Sequence, residues 1–169
     1  MDLVDLGSLS GEQYAELVGD EEDPWGAASL GLDWRPKDRH VGVCDDDGKL
    51  VAAAGLVLAQ VRFGEEQPIA VVGIGGVIVA APHRGRGLGR QVISAVLRRA
   101  EDMGPNVAML FCLPALVELY RRHGFAEVQG PVLVDQPSGV LEMGGAMWRP
   151  LKDDATFAPG TVRLHGLPF

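Results

Sequence analysis

The run Arg84-Gly85-Arg86-Gly87-Leu88-Gly89-Arg90 sets three glycines among three arginines in an otherwise acidic chain. Its chemistry is anion capture. A glycine-rich turn lets main-chain N–H groups converge on a phosphate because no Cβ atoms intervene. A helix starting at Leu88 adds unpaired N–H donors and a partial positive charge. Two familiar phosphate motifs are excluded. A Walker A loop needs G-x-x-x-x-G-K-[ST], and no Lys-Ser or Lys-Thr is present. A dinucleotide fingerprint needs G-x-G-x-x-G, whereas Gly85, Gly87 and Gly89 are evenly spaced and follow several strands. Alone, six such residues also occur in turns that bind nothing.

Other reactive side chains are sparse. Cys44 and Cys112 lie in apolar stretches and read as buried free thiols, Cys112 as a small core residue. His123 precedes Gly124 at a helix C-terminus, where histidine commonly caps. His40, His83, His123 and His165 form no metal-ligand spacing with each other or with cysteine, so no metal is predicted.

The elements that must position the turn are legible. Residues 2–6 read as a strand, and Ser10 with Gln13 as a capping box opening a helix. Residues 19–31 read as a loop and short-helix region. A strand at 40–44, an Asp-Gly turn and long apolar strands at 49–62 and 69–80 follow. The second long strand contains Gly73, Gly75 and Gly76, a pattern that suggests a bulge or a close backbone approach. Leu88, Val92, Val96 and Ala100 predict a helix to Met103. Residues 107–112 read as a buried strand, 115–123 as a second helix, and Phe125 as the start of another strand. Val140–Trp148 reads as a strand and the segment to Phe169 as irregular. Hairpins followed by a βαβ crossover give an α/β fold of the α+β type, with a mixed, mostly antiparallel sheet and helices on both faces.

With 169 residues, 47% apolar, the chain suits one domain with one core. A net charge of −8 without a basic run argues against nucleic acid and suits a cationic substrate, although acidity also serves solubility alone. No signal peptide or membrane span is read, so a cytoplasmic protein is the expectation.

Arg84, Gly87 and Gly89 match the pattern Q/R-x-x-G-x-G/A, and Val77-Ile78-Val79 with Pro82 resembles the strand leading into it. Leu119-Tyr120-Arg121-Arg122-His123-Gly124-Phe125 resembles a second signature, a tyrosine-bearing helix ending in Gly-Phe. Together they resemble the GCN5-related N-acetyltransferase (GNAT) family over about residues 40–128. The resemblance implies that 1–169 is one acyl-CoA N-acyltransferase domain. Main-chain groups of Val77 and Val79, with Ile78 between them, would pair with the pantetheine arm of acetyl-CoA. The N–H groups of Gly85, Arg86, Gly87, Leu88, Gly89 and Arg90, beside Arg84, would hold its pyrophosphate. The strand at 107–112 would splay from 77–79 to leave a gap for the thioester.

In that family an amine attacks the thioester directly through a tetrahedral intermediate. A strand N–H near Val79 would stabilise the oxyanion, and Tyr120 would give a proton to the departing CoA thiolate. Many members carry a glutamate before the phosphate loop, but Gly73-Ile74-Gly75-Gly76 has no carboxylate. A water relay, Asp33 beside Trp34, Glu142, or a terminal carboxylate on Phe169 would serve as base instead.

The overall layout, a short N-terminal part before the cofactor core and an extended C-terminal segment after Gly-Phe, resembles the aminoglycoside and nodulation-type N-acyltransferases. It implies a small primary amine as acceptor, an aminosugar or polyamine, with no nucleic-acid or membrane partner. Homodimers are common in the family, though no segment marks an interface. Two alternatives are a catalytically weak acyl-CoA-binding regulatory module and an enzyme acting on protein N-termini or lysines.

Overall fold

The computed structural model describes residues Met1–Phe169. Strand β1 (Asp2–Leu6) leads to helix α1 (Gly11–Val18). Gln13 N donates to Ser10 Oγ at 3.1 Å and Ser10 N to the Gln13 side chain at 2.9 Å, the expected capping box. After a short 3-10 turn at Ala28–Leu30 come β2 (Arg39–Cys44), β3 (Leu50–Phe63) and β4 (Ile69–Val79). Helix α2 (Leu88–Glu101) crosses to β5 (Val107–Phe111).

Beyond β5 the structure departs from the sequence reading. The helix expected over 115–123 is a 3-10 turn at Pro114–Leu116 followed by the five-residue α3 (Val117–Arg121). Next come β6 (Ala126–Glu127) and β7 (Val132–Gln136). The strand expected over 140–148 is two strands, β8 (Gly139–Glu142) and β9 (Ala146–Pro150). They break at Gly145, whose φ is +76° and whose carbonyl accepts from Cys112 N at 2.9 Å. The tail is not irregular throughout, since Val162–His165 forms β10.

The sheet order is β6-β9-β5-β4-β3-β10-β7-β8, with β1 and β2 attached to β3. Most neighbours are antiparallel, while β4 and β5 are parallel across the α2 crossover. The 14-residue β3 gives one edge to β4 and shares the other: β2 pairs as far as Leu56 and β10 begins at Gln60. Between them is a short notch. The chain enters β2 at Arg39 and leaves β10 at His165, so the segments 33–38 and 166–169 both emerge there.

Two apolar faces result. Leu88, Val92, Ile93, Val96 and Ala100 of α2 pack on Val41, Val43, Ala52, Leu56, Val72 and Ile74, as the fourfold spacing requires. On the opposite face Val57, Ala59, Val71 and Met109 meet Val132, Val134, Val162, Leu164 and Phe169. Helix α1 covers the remainder through Leu17 against Leu50, Ala53 and Ile78. No helix is long and apolar enough to cross a membrane.

Candidate active site

Strands β4 and β5 are in register only over Val72↔Ala108, Gly73↔Met109 and Ile74↔Leu110. Beyond Ile74, β4 inserts an extra residue opposite β3: Gly55 faces Gly75, whereas Ala53 faces Ile78. Gly76, at φ +61°, takes the bulge. From there β4 stays with β3 while β5 stays with β9, and a wedge opens between them.

The bulge also fixes which main-chain groups face the wedge. Ala80 N donates to Val51 O at 2.9 Å. Antiparallel alternation then turns the groups of Ile78 toward β3 and those of Val77 and Val79 away from it, into the wedge. The Ile78 side chain is buried among Leu17, Leu50 and Ala53, so it anchors the strand.

At the mouth of the wedge, Gly85 and Gly87 adopt φ values of +77° and +79°, and nothing stands within 4 Å of where a side chain would be. Gly87 is the N-cap of α2, and no side chain caps the helix. Its first-turn donors are open to an anion. Leu88 is buried in the core while Arg86 and Arg90 are exposed. Arg84 points away from the turn. Its Nε donates to the Val79 carbonyl at 2.9 Å, and Nη1 and Nη2 donate to Glu21 at 2.8 and 2.5 Å. Arg84 therefore clasps the end of β4 to the loop after α1.

On α3, which follows β5, Tyr120 is 6% exposed in the core beneath α2 and packs edge-on against Phe125 at 5.9 Å. Burial, then nearby Cys112, raises its phenol far above the ordinary value, so it stays protonated. Cys112 lies 3.6 Å from Met147 Sδ, and burial raises its thiol as well. His123 is pushed below its ordinary value by burial and by Arg90 and Arg149, so its imidazole is neutral near pH 7. Arg121 pairs with Glu118 and Glu127.

The opposite face of β4 is built on missing side chains. A Cβ on Gly73 would lie 2.7–2.8 Å from the Phe169 ring. One on Gly75 would lie 2.5 Å from the Phe169 main-chain carbonyl carbon and 2.9 Å from Lys37 Cε. One on Gly55 would meet Lys37 Cγ at 2.5 Å and His40 Nε2 at 3.1 Å. Glycine is required at each by close approach. Phe169 is 2% exposed, its ring edge-on to Phe111 at 5.5 Å. Several contacts hold the tail: Asp135 binds Arg163 and accepts from Gly166 N at 2.7 Å, and Arg35 N donates to Pro168 O at 2.7 Å.

The structure thus brings Phe169 to the stretch where the carboxylate was missing. Asp33 is exposed, with its main chain fastened to the Gln136 side chain at 2.8 and 2.9 Å. Trp34 packs on the core beneath the tail. Glu142 is exposed on the terminal strand β8, opposite Leu133. Asp135 is held low by Arg163 and Gly166 N.

Sequence reasoning missed Lys37 and His40. Burial pushes the Lys37 ammonium down to about 8. Burial, against a bond from Nδ1 to Gly7 O at 2.8 Å, lowers His40. With Nδ1 as the donor, Nε2 keeps its lone pair over Gly55. The stretch Pro36-Lys37-Asp38-Arg39 before the strand expected from His40 carries no motif, and the available signal was Gly55 in a long apolar strand.

Residues 27–128 match the Acetyltransferase (GNAT) domain family. The chain belongs to this family of acetyltransferases, the match spanning more than half its length. It is 35% identical over 104 residues to glucosamine 6-phosphate N-acetyltransferase 1 of Oryza sativa subsp. japonica, covering 59% of this chain and 58% of the rice protein. The match thus spans little more than half of that relative. The GNAT family N-acetyltransferase YhbS from Escherichia coli, solved in complex with CoA, superposes with a TM-score of 0.62 at 20% identity, covering 96% of this chain and 89% of that one. Escherichia coli ElaA superposes at 0.57 with 22% identity, covering 88% and 98%. At these identities the likeness to the two structures is one of fold.

Proposed function

We propose that the chain transfers an acetyl group from acetyl-CoA to a primary amine of a small molecule of the aminosugar type. One observation carries the reading: where β4 parts from β5 after Ile74, the strand leads into an open glycine turn and the uncapped N-terminus of α2. The fit to the donor is specific. The uncapped N-terminus of α2 and the open Gly85–Gly87 turn suit a pyrophosphate, and the inward main-chain groups of Val77 and Val79 suit an amide-bearing arm added like a strand. The thioester supplies an activated acetyl carbon; the residues of the chain govern protons and orientation.

An amine with a pKa of about 10 must lose a proton before it attacks. A chain ending at Phe169 sets a carboxylate over Gly75, where an incoming ammonium can be held and relieved of that proton. The Val77 and Val79 N–H groups are donors for the carbonyl oxygen. Tyr120, held in its acid form, protonates the leaving sulfur.

The acceptor reading rests on the tail and on charge. The 33–37 segment and the tail are joined by the hydrogen bond from Arg35 N to Pro168 O beside Gly75, an arrangement that supports a small molecule over a protein segment. Lys37 and His40, with no ring of carboxylates, disfavour a polyamine. The rice relative, named for an aminosugar phosphate, supports the same class.

Calorimetry with CoA and thiol release from acetyl-CoA across aminosugars, polyamines and peptides test the proposal. Binding plus turnover with an aminosugar is expected. Binding without turnover on any amine would favour a regulatory acyl-CoA-binding module, and absence of binding would refute both.

A further inference from the structure

The reaction above leaves Lys37 without a task, yet its side chain has an unusual course. Its Cγ sits over Gly55 on β3 and its Cε over Gly75 on β4, and these two glycines are paired across the strands. The stem therefore runs from β3 to β4, and β4 is the strand that borders the wedge. Cε thus stands beside Gly75, one residue past the last β4–β5 pair at Ile74, and an amine or thioester entering the wedge there would meet Nζ, one bond farther on. The stem is fixed by contact with two bare backbones, with His40 beside it at Gly55 and the end of Phe169 beside its Cε at Gly75; burial lowers its ammonium to about 8. A neutral amine is thus accessible near physiological pH.

We propose that Lys37 is a self-acetylation site, its ε-amine taking the acetyl group from a thioester in the wedge when no free amine stands there. This rests on the acetyltransfer reading. The Lys37 nitrogen forms an amide bond to the acetyl carbon and the carbon–sulfur bond breaks. Tyr120 gives its proton to the sulfur, so CoA leaves as the thiol. The proton shed by the nitrogen returns through water to Tyr120. Lys37 loses its charge and gains an acetyl group in the space an acceptor needs, which makes the modification a brake on turnover when acceptor is scarce.

The sequence supplies internal controls, because Lys49 and Lys152 are the only other lysines and both are exposed. The full chain is incubated with isotopically labelled acetyl-CoA without amine, and occupancy at each lysine is followed by mass spectrometry. Expected is approach to one label per chain at Lys37, at a rate independent of protein concentration and faster than at Lys49 or Lys152. Loss of the acid in Tyr120→Phe should slow it at least about tenfold. Lys37→Arg should abolish the fast phase, and Lys49→Arg with Lys152→Arg should keep it. Labelling at Lys37 no faster than at the exposed lysines, or indifferent to Tyr120→Phe, overturns the proposal. If a free amine is acetylated while Lys37 is not, only this inference falls. If CoA binds and neither is acetylated, the acetyltransfer reading falls with it.

Discussion

The Glu21 carboxylate is gripped by both terminal nitrogens of Arg84, whose Nε meanwhile binds the Val79 carbonyl. The loop after α1 is thereby fastened to the strand expected to meet the donor. Glu21→Gln should free the loop while leaving the phosphate turn intact. The pair is partly exposed, so the expected change is modest: a rise of no more than about fivefold in acceptor KM, with CoA affinity nearly unchanged. Steady-state kinetics paired with calorimetry would show the split. An equal loss in CoA affinity would mean that the clasp serves the donor site.

Tyr120→Phe retains the ring packed on Phe125 and removes the acid. The expected result is a fall in kcat of about 100-fold, with CoA binding and thermal stability preserved. Undiminished kcat would show that another group, or solvent, protonates the leaving sulfur.

Gly75→Ala sets a methyl group into the Phe169 main-chain carbonyl and Lys37 Cε. Backbone and tail must shift, at a cost of about 1–3 kcal/mol. Activity should fall because the end of Phe169 leaves its place. Gly85→Ala meets no neighbour but opposes a φ of +77°. It should weaken CoA binding and spare the acceptor face. Melting curves and CoA titrations on the two variants should therefore diverge, and identical behaviour would refute the separation of the two half-sites.

The tail permits a direct test. Adding residues beyond Phe169 or deleting it should lower kcat/KM by about 100-fold if its carboxylate is the base. CoA titration of the same proteins should be unaffected. Full activity in the extended protein would return the base to a water relay.

Lys37 also predicts a pH dependence of stability. Its folded pKa, about 8, lies below the ordinary 10.5. Below about 8 both folded and unfolded forms carry the proton, and the cost of the desolvated charge is fully present. As pH rises from 8 to 10.5 the unfolded chain holds more protons, so this cost is relieved and the contribution to stability increases. Lys37→Met should therefore raise the melting temperature at pH 7, with an advantage that shrinks through that interval. A pH-independent difference would mean that Lys37 is not desolvated.

Much of the donor half could be read from residue order. The spacing of Leu88, Val92, Val96 and Ala100 marked α2, the glycine–arginine turn marked its uncapped end, and the glycines of β4 marked a bulge. These are local signals within one element. The acceptor half was legible only in fragments. β10 is four residues long, with Val162 and Leu164 inward, too short for its alternation to stand out between Gly160 and Gly166. β8 and β9 read as one strand because the break at Gly145 is held by Cys112, a residue far away in sequence that follows the end of β5. Lys37 is ordinary in sequence and becomes distinctive only because Gly55 and Gly75 face each other.

The notch on β3 divides responsibilities along the polypeptide. The groups suited to the donor come from one continuous stretch, β4 to α3, within the matched family region. Those proposed to face the acceptor come from 33–40 and 166–169, two strips emerging side by side where β2 stops and β10 starts. New acceptor preferences can then arise by exchanging two short strips while the thioester cradle is inherited unchanged. Grafting both strips from a relative should transplant acceptor choice, whereas either alone would lack the Arg35–Pro168 seam that joins them.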